Sequence, residues 1–228
     1  MSPRLNFDRI ARPYRWLEYL SFGPLLERCR FYRLDAAKGC TQALVLGDGD
    51  GRFLAKLLAS HTNLHAEAAD ISPAMLKLLQ RRVARIDAVQ RLRLQCVDIR
   101  NFTPEGHFDF IATHFFLDCL SADEIAALIK RLEPAVEPGA VWIISEFALP
   151  HSGLVKWPAR IIVRSLYRAF GLLTGLEVRA LPPHAHLLRA SAFERIDSRA
   201  WLGGLLISEL WRKMESGNSR PSLAVPPA

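Results

Sequence analysis

Residues 43–54 read ALVLGDGDGRFL, and the fold of the chain can be inferred by working outward from them. The first four residues are apolar and predict a short buried strand, and residues 53–60 have the periodicity of a helix. Gly47, Gly49 and Gly51 allow left-handed backbone and let the backbone approach a ligand closely. The helix N-terminus adds free N–H groups for a polar or anionic ligand. We therefore predict a strand, a ligand-binding loop and a helix.

The alternation of strand and helix continues after this stretch. Apolar strands alternating with amphipathic helices predict an α/β fold with a Rossmann-like, doubly wound parallel sheet. Ser121 and Glu124 have the spacing of a capping box at a helix start. The predicted strands are residues 64–69, 92–97, 108–113 and 140–147, and the predicted helices are residues 74–85 and 121–132.

The C-terminal half adds a close pair of strands. Residues 193–201 and 205–213 are joined by a short turn that contains two glycines. The pair predicts a seven-stranded sheet in which the last strand is antiparallel. We expect one domain over residues 1–215.

Helical segments are predicted outside the sheet. Residues 7–34 have helical periodicity and predict an N-terminal helical cap over residues 1–38. Residues 153–173 read as a long amphipathic helix, which predicts an inserted lid at residues 151–176. Residues 216–228 are rich in Ser and Pro and predict a disordered tail.

The composition narrows the classes of partner. The chain has 30 Lys and Arg against 23 Asp and Glu, a net charge of +7, but no long basic block, so nucleic-acid binding is not favoured. The four cysteines lack the spacing of a zinc site, so no metal is expected. The charged N-terminus lacks the apolar core of a signal peptide, and no uncharged apolar run reaches the ~18 residues of a membrane span. We expect a soluble cytoplasmic protein.

One basic stripe leaves two interpretations open. Lys156, Arg160, Arg164 and Arg168 recur every fourth residue on the predicted lid helix. The stripe predicts either an ordinary solvated face or weak contact with an anionic membrane that holds a lipophilic acceptor.

The glycine spacing argues against a dinucleotide. A dinucleotide loop has the pattern GxGxxG, and its third glycine packs closely against the helix. Counting from Gly47 or from Gly49 places Arg52 or Leu54 at that position. The observed GxGxG pattern suits a ligand without a pyrophosphate.

Two carboxylates follow the next two strands. Asp70 comes after the second strand, where a carboxylate accepts hydrogen bonds from ribose hydroxyls. Asp98 comes after the third, where it can accept from an adenine amino group. Ile71 and Ile99 follow these carboxylates and are candidates to sandwich the adenine ring. Gly47, Asp48, Gly49 and Gly51 complete the predicted cofactor site.

Several segments resemble the motifs of the class I S-adenosylmethionine (SAM)-dependent methyltransferases. The resemblance implies SAM as cofactor and methyl transfer as activity. One departure is Val45, where that family usually has an acidic residue that helps to hold the loop and the methionine part of SAM, and Asp48 is a candidate to take over this role. The matching segments are residues 44–54, 70–76, 97–99, 108–112 and 132–140.

The N-terminus has a looser resemblance to one subgroup. Residues 7–14, FDRIARPY, are similar to the opening of the ubiquinone- and menaquinone-biosynthesis methyltransferases. The resemblance implies that the N-terminal helices close over the cofactor and bring Tyr14 to it. The subgroup's motif continues with Asp, whereas this chain has Arg15.

The sequence signals for the site of the methyl acceptor are less specific than those for the cofactor site. His114 follows the fourth strand and is the candidate general base, since an imidazole accepts a proton near neutral pH. The alternative is a purely structural role. Residues 114–118, HFFLD, contain aromatic side chains that suit a small apolar or aromatic acceptor, although each of them is equally compatible with a core position.

Three functions stay open at this point. The leading hypothesis is methyl transfer from SAM to a small-molecule acceptor. A non-catalytic SAM-binding or regulatory protein is the alternative, for which Val45 is the hint. An NAD(P)-dependent oxidoreductase is disfavoured by Arg52 and Leu54. The sequence leaves open the acceptor, the atom that is methylated and the oligomeric state.

Overall fold

The structure is a computed structural model that describes residues 24–148 and 181–215. Several predictions lie outside these residues: Tyr14 with the first part of the helical cap, the lid helix at residues 151–176, and the tail at residues 216–228. None of the helices in the described ranges is both long and apolar enough to cross a bilayer. The extent of the single domain and the cytoplasmic location stay predictions.

The described residues form a seven-stranded mixed sheet, which confirms the predicted fold class. The strand order is β3-β2-β1-β4-β5-β7-β6, and only β7 runs antiparallel to its neighbours. The reversal of strand order at β1 and β4 makes the sheet doubly wound. The strands are β1 (Gln42–Leu46), β2 (His65–Asp70), β3 (Leu92–Cys96), β4 (Phe108–His114), β5 (Val136–Phe147), β6 (Phe193–Trp201) and β7 (Leu206–Lys213).

Helices cover both faces of the sheet. Helices α2 and α3 pack on one face and α4 and α5 on the other, because each has an apolar stripe that enters one of two large core clusters. The short helix α1 packs against β7 through Leu26 and Cys29. The helices are α1 (Leu25–Arg30), α2 (Arg52–Ser60), α3 (Pro73–Ala84), α4 (Ala122–Leu132) and α5 (His184–Ala190).

Local sequence signals account for the helix starts. Ser121 accepts from the N–H of Glu124 while the Glu124 side chain accepts from the N–H of Ser121, which confirms the predicted capping box. Ser72 caps α3 in a similar way by accepting from Met75, and Pro73 occupies the first turn. Each cap satisfies backbone donors that a helix start leaves unpaired.

The structure differs from the predicted elements in two places. β5 begins at Val136, before the predicted strand start at residue 140, because Val136 pairs with Phe108 and the register shifts after that pair. Helix α5 was not predicted. It is a single short element whose buried side of His184 and Leu188 packs on α4 and β6, and two buried positions are too few to give a sequence period.

Candidate functional site

The glycine loop lies at the carboxyl end of β1, as predicted. Gly47, Gly49 and Gly51 all have positive φ, at 66°, 61° and 78°. A Cβ on Gly47 would lie 2.3 Å from the Phe116 ring, and one on Gly51 would lie 2.6 Å from the backbone of Leu79 on α3. Glycine is therefore required here both for backbone conformation and for close packing.

Two arginines hold the loop through Asp50. Asp50 is buried and accepts from Arg52 Nε at 3.0 Å and from Arg82 Nη2 at 2.6 Å. Arg82 Nε also donates to the Asp50 carbonyl at 2.8 Å. Because Arg82 belongs to α3, this contact ties the loop to a second helix. Sequence reasoning missed the pair, since 32 residues separate Asp50 from Arg82.

Asp48 lies in the loop, and only one of its two carboxylate oxygens accepts a hydrogen bond from the described residues. Its Oδ2 accepts from the N–H of Leu54 at 2.9 Å. Its Oδ1 is buried and has no hydrogen-bond partner within the described residues. Burial is the main cause that raises the pKa of Asp48 to about 7, against the lowering effects of the Leu54 N–H and the Arg30 charge. An oxygen in this condition is a site for a ligand donor.

Asp70 and Ile71 follow β2 next to the loop. The N–H of Ser72 donates to Asp70 Oδ1 at 2.8 Å, which fixes the orientation of the carboxylate. Gly47 N donates to the carbonyl of Ala69, so the glycine loop and the end of β2 are in direct contact. Ile71 is half-buried. The roles of Asp70 at a ribose and of Ile71 at an adenine ring stay predictions.

Asp98 is already engaged by a neighbouring cation. Arg100 Nε donates to both carboxylate oxygens at 3.0 and 3.1 Å, and Nη2 donates at 2.7 Å. These bonds are the main cause that lowers the pKa of Asp98. Ile99 is buried in the core of the α4 face. An adenine amino group would therefore share Asp98 with Arg100, and only Ile71 of the predicted isoleucine pair is partly exposed.

His114 ends β4 and is buried. Its Nδ1 lies 3.0 Å from Ser145 Oγ, and its ring packs on Phe53 with 4.1 Å between ring centroids. Its Nε2 is buried without a hydrogen-bond partner within the described residues. Burial, and then the charge of Arg30, hold the pKa of His114 well below its ordinary value, so the ring is neutral.

The segment after His114 turns sharply over the glycine loop. Phe115 has a φ of 53°, which is strained for an aromatic residue, and its ring packs on Phe147. Glu146 Oε1 accepts from the N–H groups of Phe116 and Leu117 at 3.1 and 2.8 Å, which fixes the turn. Phe115 and Phe147 are half-buried and give this edge an apolar wall.

Two further acids lie beneath this turn. Glu146 is 1% exposed, and its Oε2 has no hydrogen-bond partner within the described residues. Burial, and then the charge of Asp118, raise the pKa of Glu146 well above its usual range. Asp118, an acceptor-side candidate of the sequence, is also buried. The Glu146 carboxyl is part of the structure of the turn.

Arg30 is a residue of the site that sequence reasoning missed. It ends α1, is 3% exposed, and lies over the Phe115 ring at 5.6 Å from the centroid. Ser145 Oγ donates to the carbonyl of the preceding residue, Cys29, at 3.2 Å and lies 3.0 Å from His114 Nδ1, so the end of α1 lies beside the end of β4. An arginine in a helical segment usually indicates a solvated face, so only the packing of α1 reveals it.

The residues at this edge fit SAM. The glycine loop is a cradle that a Cβ would fill, and Asp48 Oδ1 is a buried acceptor without a partner in the described residues. Asp70 lies beside the loop with a fixed carboxylate. Val45, where the methyltransferases usually have an acid, is fully buried in the apolar core and offers no polar group.

Comparison with known proteins gives one family match. Residues 43–139 match the family model described as "Methyltransferase domain". The release factor glutamine methyltransferase of Cereibacter sphaeroides is 30% identical over 162 residues, which are 68% of this chain and 56% of that protein. The chain thus spans little more than half the length of this curated relative.

Solved structures share the fold. A putative O-methyltransferase from Nostoc punctiforme has a TM-score of 0.70 at 12% identity, with 91% of this chain and 60% of that chain covered. The N-methyltransferase NodS from Bradyrhizobium japonicum in complex with S-adenosyl-L-homocysteine (SAH) has a TM-score of 0.60 at 17% identity, with 83% and 87% covered. The predicted resemblance to quinone-biosynthesis enzymes is not tested by these matches.

Proposed function

We propose that this chain is a class I SAM-dependent methyltransferase and transfers the methyl group of SAM to a small apolar or aromatic acceptor. The observation that carries the proposal is the junction of β1 and β2. There a cradle of three positive-φ glycines adjoins the oriented carboxylate of Asp70 and Asp48 Oδ1, which has no partner among the residues that the structure describes. These groups suit a nucleoside that carries an amino acid.

The chain's own residues bind and orient. Bound SAM supplies a sulfonium methyl that is already activated, so alignment of the acceptor is the main task. Asp70 takes the ribose hydroxyls, Ile71 packs on the adenine, and Asp98 accepts from the adenine amino group beside Arg100. In well-oriented reactions, alignment of this kind lowers the activation barrier by on the order of 7–11 kcal/mol.

The acceptor lies over the ends of β4 and β5. The support is the apolar wall of Phe115 and Phe147, which is half-buried and next to the glycine loop through Phe116. His114 Nε2 has no partner in the described residues, and in the neutral tautomer that carries its proton on Nδ1 it can accept a hydrogen bond from an acceptor hydroxyl or amine. Aromatic walls with few polar groups are typical of sites for apolar small molecules.

Two measurements test the proposal. Calorimetric titration with SAM, SAH and NADH should show binding of the first two only, and NADH binding alone would support an oxidoreductase instead. The chain is then incubated with methyl-labelled SAM and a cell extract, which is separated into small molecules and macromolecules. Label in a small molecule other than SAM and its breakdown products, above the level in extract without the chain, supports the proposal. Label in protein would indicate an acceptor like that of the glutamine methyltransferase, and SAM binding without label would indicate a non-catalytic protein.

A further inference from the structure

The methionine end of SAM presents a particular problem to this chain. This end carries an ammonium and a carboxylate on the same carbon, so a site that buries it needs an anion and a cation close together. Val45 is buried in the apolar core and supplies neither. The two charged partners must therefore come from elsewhere at the carboxyl edge of the sheet.

Asp48 has the properties of the anionic partner. It is 7% exposed and lies within the glycine loop, where Leu54 N–H occupies its Oδ2 and leaves Oδ1 unpaired among the described residues. A buried carboxylate oxygen without a donor is unfavourable, and its raised pKa of about 7 reflects that. A bound ammonium would supply both a hydrogen bond and the compensating charge.

Arg30 has the properties of the cationic partner. Its side chain is buried at the end of α1, over the Phe115 ring, and the ring of the next residue, Phe116, packs against Gly47 beside Asp48. The Arg30 charge also lowers the pKa of Asp48. A guanidinium offers several donors in a planar fork that matches a carboxylate. Arg30 is therefore a buried cation at the same edge of the sheet as Asp48.

We propose that Arg30 and Asp48 bind the amino-acid end of SAM, with the Arg30 guanidinium on its carboxylate and Asp48 Oδ1 on its ammonium. The pair replaces the acidic residue that this family usually has at the position of Val45. This inference rests on the proposed function, since it assigns residues within the same cofactor site. It also gives α1 a direct role in cofactor binding, because Arg30 belongs to this helix, which precedes the first strand of the sheet.

Three ligands separate the two contacts in a calorimetric titration of the full chain. SAM carries both charged groups, decarboxylated SAM keeps only the ammonium, and methylthioadenosine lacks the amino-acid end altogether. The wild-type chain should bind SAM about tenfold or more tightly than decarboxylated SAM, which is the usual effect of losing a hydrogen bond between charged groups. It should bind methylthioadenosine more weakly than either.

Two substitutions should then remove one preference each. Arg30→Gln should weaken SAM by about tenfold or more and leave decarboxylated SAM unchanged, so that the preference between them is lost. Asp48→Asn should weaken both SAM and decarboxylated SAM by a similar factor and leave methylthioadenosine unchanged. Arg30→Lys should restore part of the preference for SAM. Arg28→Gln, on the exposed side of α1, is the matched control and should behave as wild type.

The outcomes distinguish this inference from the function on which it rests. If the wild-type chain binds none of the three ligands, the proposed function fails. If it binds SAM and decarboxylated SAM equally, the assignment of Arg30 is wrong while the function stands, and this test needs no variant. A loss in Arg30→Gln that is equal for all three ligands would overturn the assignment by revealing a structural role. An Asp48→Asn variant that binds decarboxylated SAM as wild type does would overturn the assignment of Asp48.

Discussion

At the scale of single residues, the site depends on positions where one added atom would clash with a packed neighbour. Gly51 is the clearest case, since its φ is +78° and a Cβ would lie 2.6 Å from the backbone of Leu79. Backbone atoms of a packed helix cannot move aside as the end of a side chain can. The glycine thus fixes the distance between the loop and α3.

Gly51→Ala should lower the free energy of unfolding by about 2 kcal/mol or more, because left-handed strain and overpacking add. Urea unfolding followed by circular dichroism measures it. Gly39→Ala is the matched control: Gly39 has a φ of +88° and a Cβ added there would meet nothing within 4 Å, so only the strain of about 1–2 kcal/mol should appear. Equal losses in the two variants would contradict the role of Leu79.

His114 is the candidate base, and its burial sets the expected pH dependence. Since its pKa is held well below 6.5, the ring is neutral at and above that pH, and turnover should show no acid limb near 6.5. His114→Ala should lower turnover and leave the Kd for SAM nearly unchanged. His107→Ala, exposed at the opposite edge of the sheet, is the control. Unchanged turnover in His114→Ala would assign this residue a packing role.

At the scale of elements, α3 acts on the site through one side chain. Arg82 reaches from α3 to the carboxylate and the carbonyl of Asp50 in the glycine loop. A loop with three positive-φ glycines has large conformational freedom when unrestrained. The contact restrains that freedom before the ligand arrives, which favours binding.

Arg82→Gln should therefore weaken SAM binding by about tenfold, equally for SAM and for methylthioadenosine, because the whole loop loses its restraint. Calorimetry with both ligands measures the effect. Arg81→Gln changes the exposed neighbour on the same helix and should have no effect. An effect of Arg82→Gln confined to SAM would instead place Arg82 at the amino-acid end of the ligand.

At the scale of the whole molecule, one buried acid joins the last elements of the sheet. Glu209 on β7 is 2% exposed and accepts from Arg195 on β6, from His184 on α5 and from Trp211 Nε1. The distances are 2.5, 3.1 and 3.0 Å. The network links β7 to β6 and to α5.

Glu209→Ala should lower the free energy of unfolding by about 1–3 kcal/mol, since its buried donors would lose their acceptor. Thermal and urea unfolding measure the change. Glu194→Ala alters an exposed acid on β6 and should have little effect. The Kd for SAM should stay close to wild type in both variants, because the network lies away from the glycine loop in the sheet order.

The basic stripe of residues 156–168 leads to a prediction for the full chain. If it contacts an anionic membrane, the chain should sediment with vesicles that contain anionic lipid and stay in solution with neutral vesicles. The sedimented fraction should fall as the salt concentration rises. Replacing Arg160 and Arg164 with Glu should abolish sedimentation. Absence of the wild-type chain from both pellets would leave the stripe as a solvated face.

Local sequence patterns are enough to establish the fold class, the glycine loop and the positions of Asp48, Asp70 and Asp98. These features depend either on contacts between residues close in sequence or on a position at the carboxyl end of a strand. The hydrophobic pattern of the sequence indicates both. The structure agrees with the seven strands and with the capping box at Ser121. The predicted roles of Tyr14 and the lid helix concern residues outside the described ranges.

Which distant side chains share the site was settled by tertiary packing alone. Arg82 reaches the loop across 32 residues, Arg30 is buried over Phe115, and β7 lies between β5 and β6. Packing also set the state of one predicted residue, because burial holds the pKa of His114 well below its ordinary value. The physical reason is that the burial and the charge state of a side chain depend on which residues lie next to it in space. The spacing of residues along the chain does not record which distant residues become neighbours.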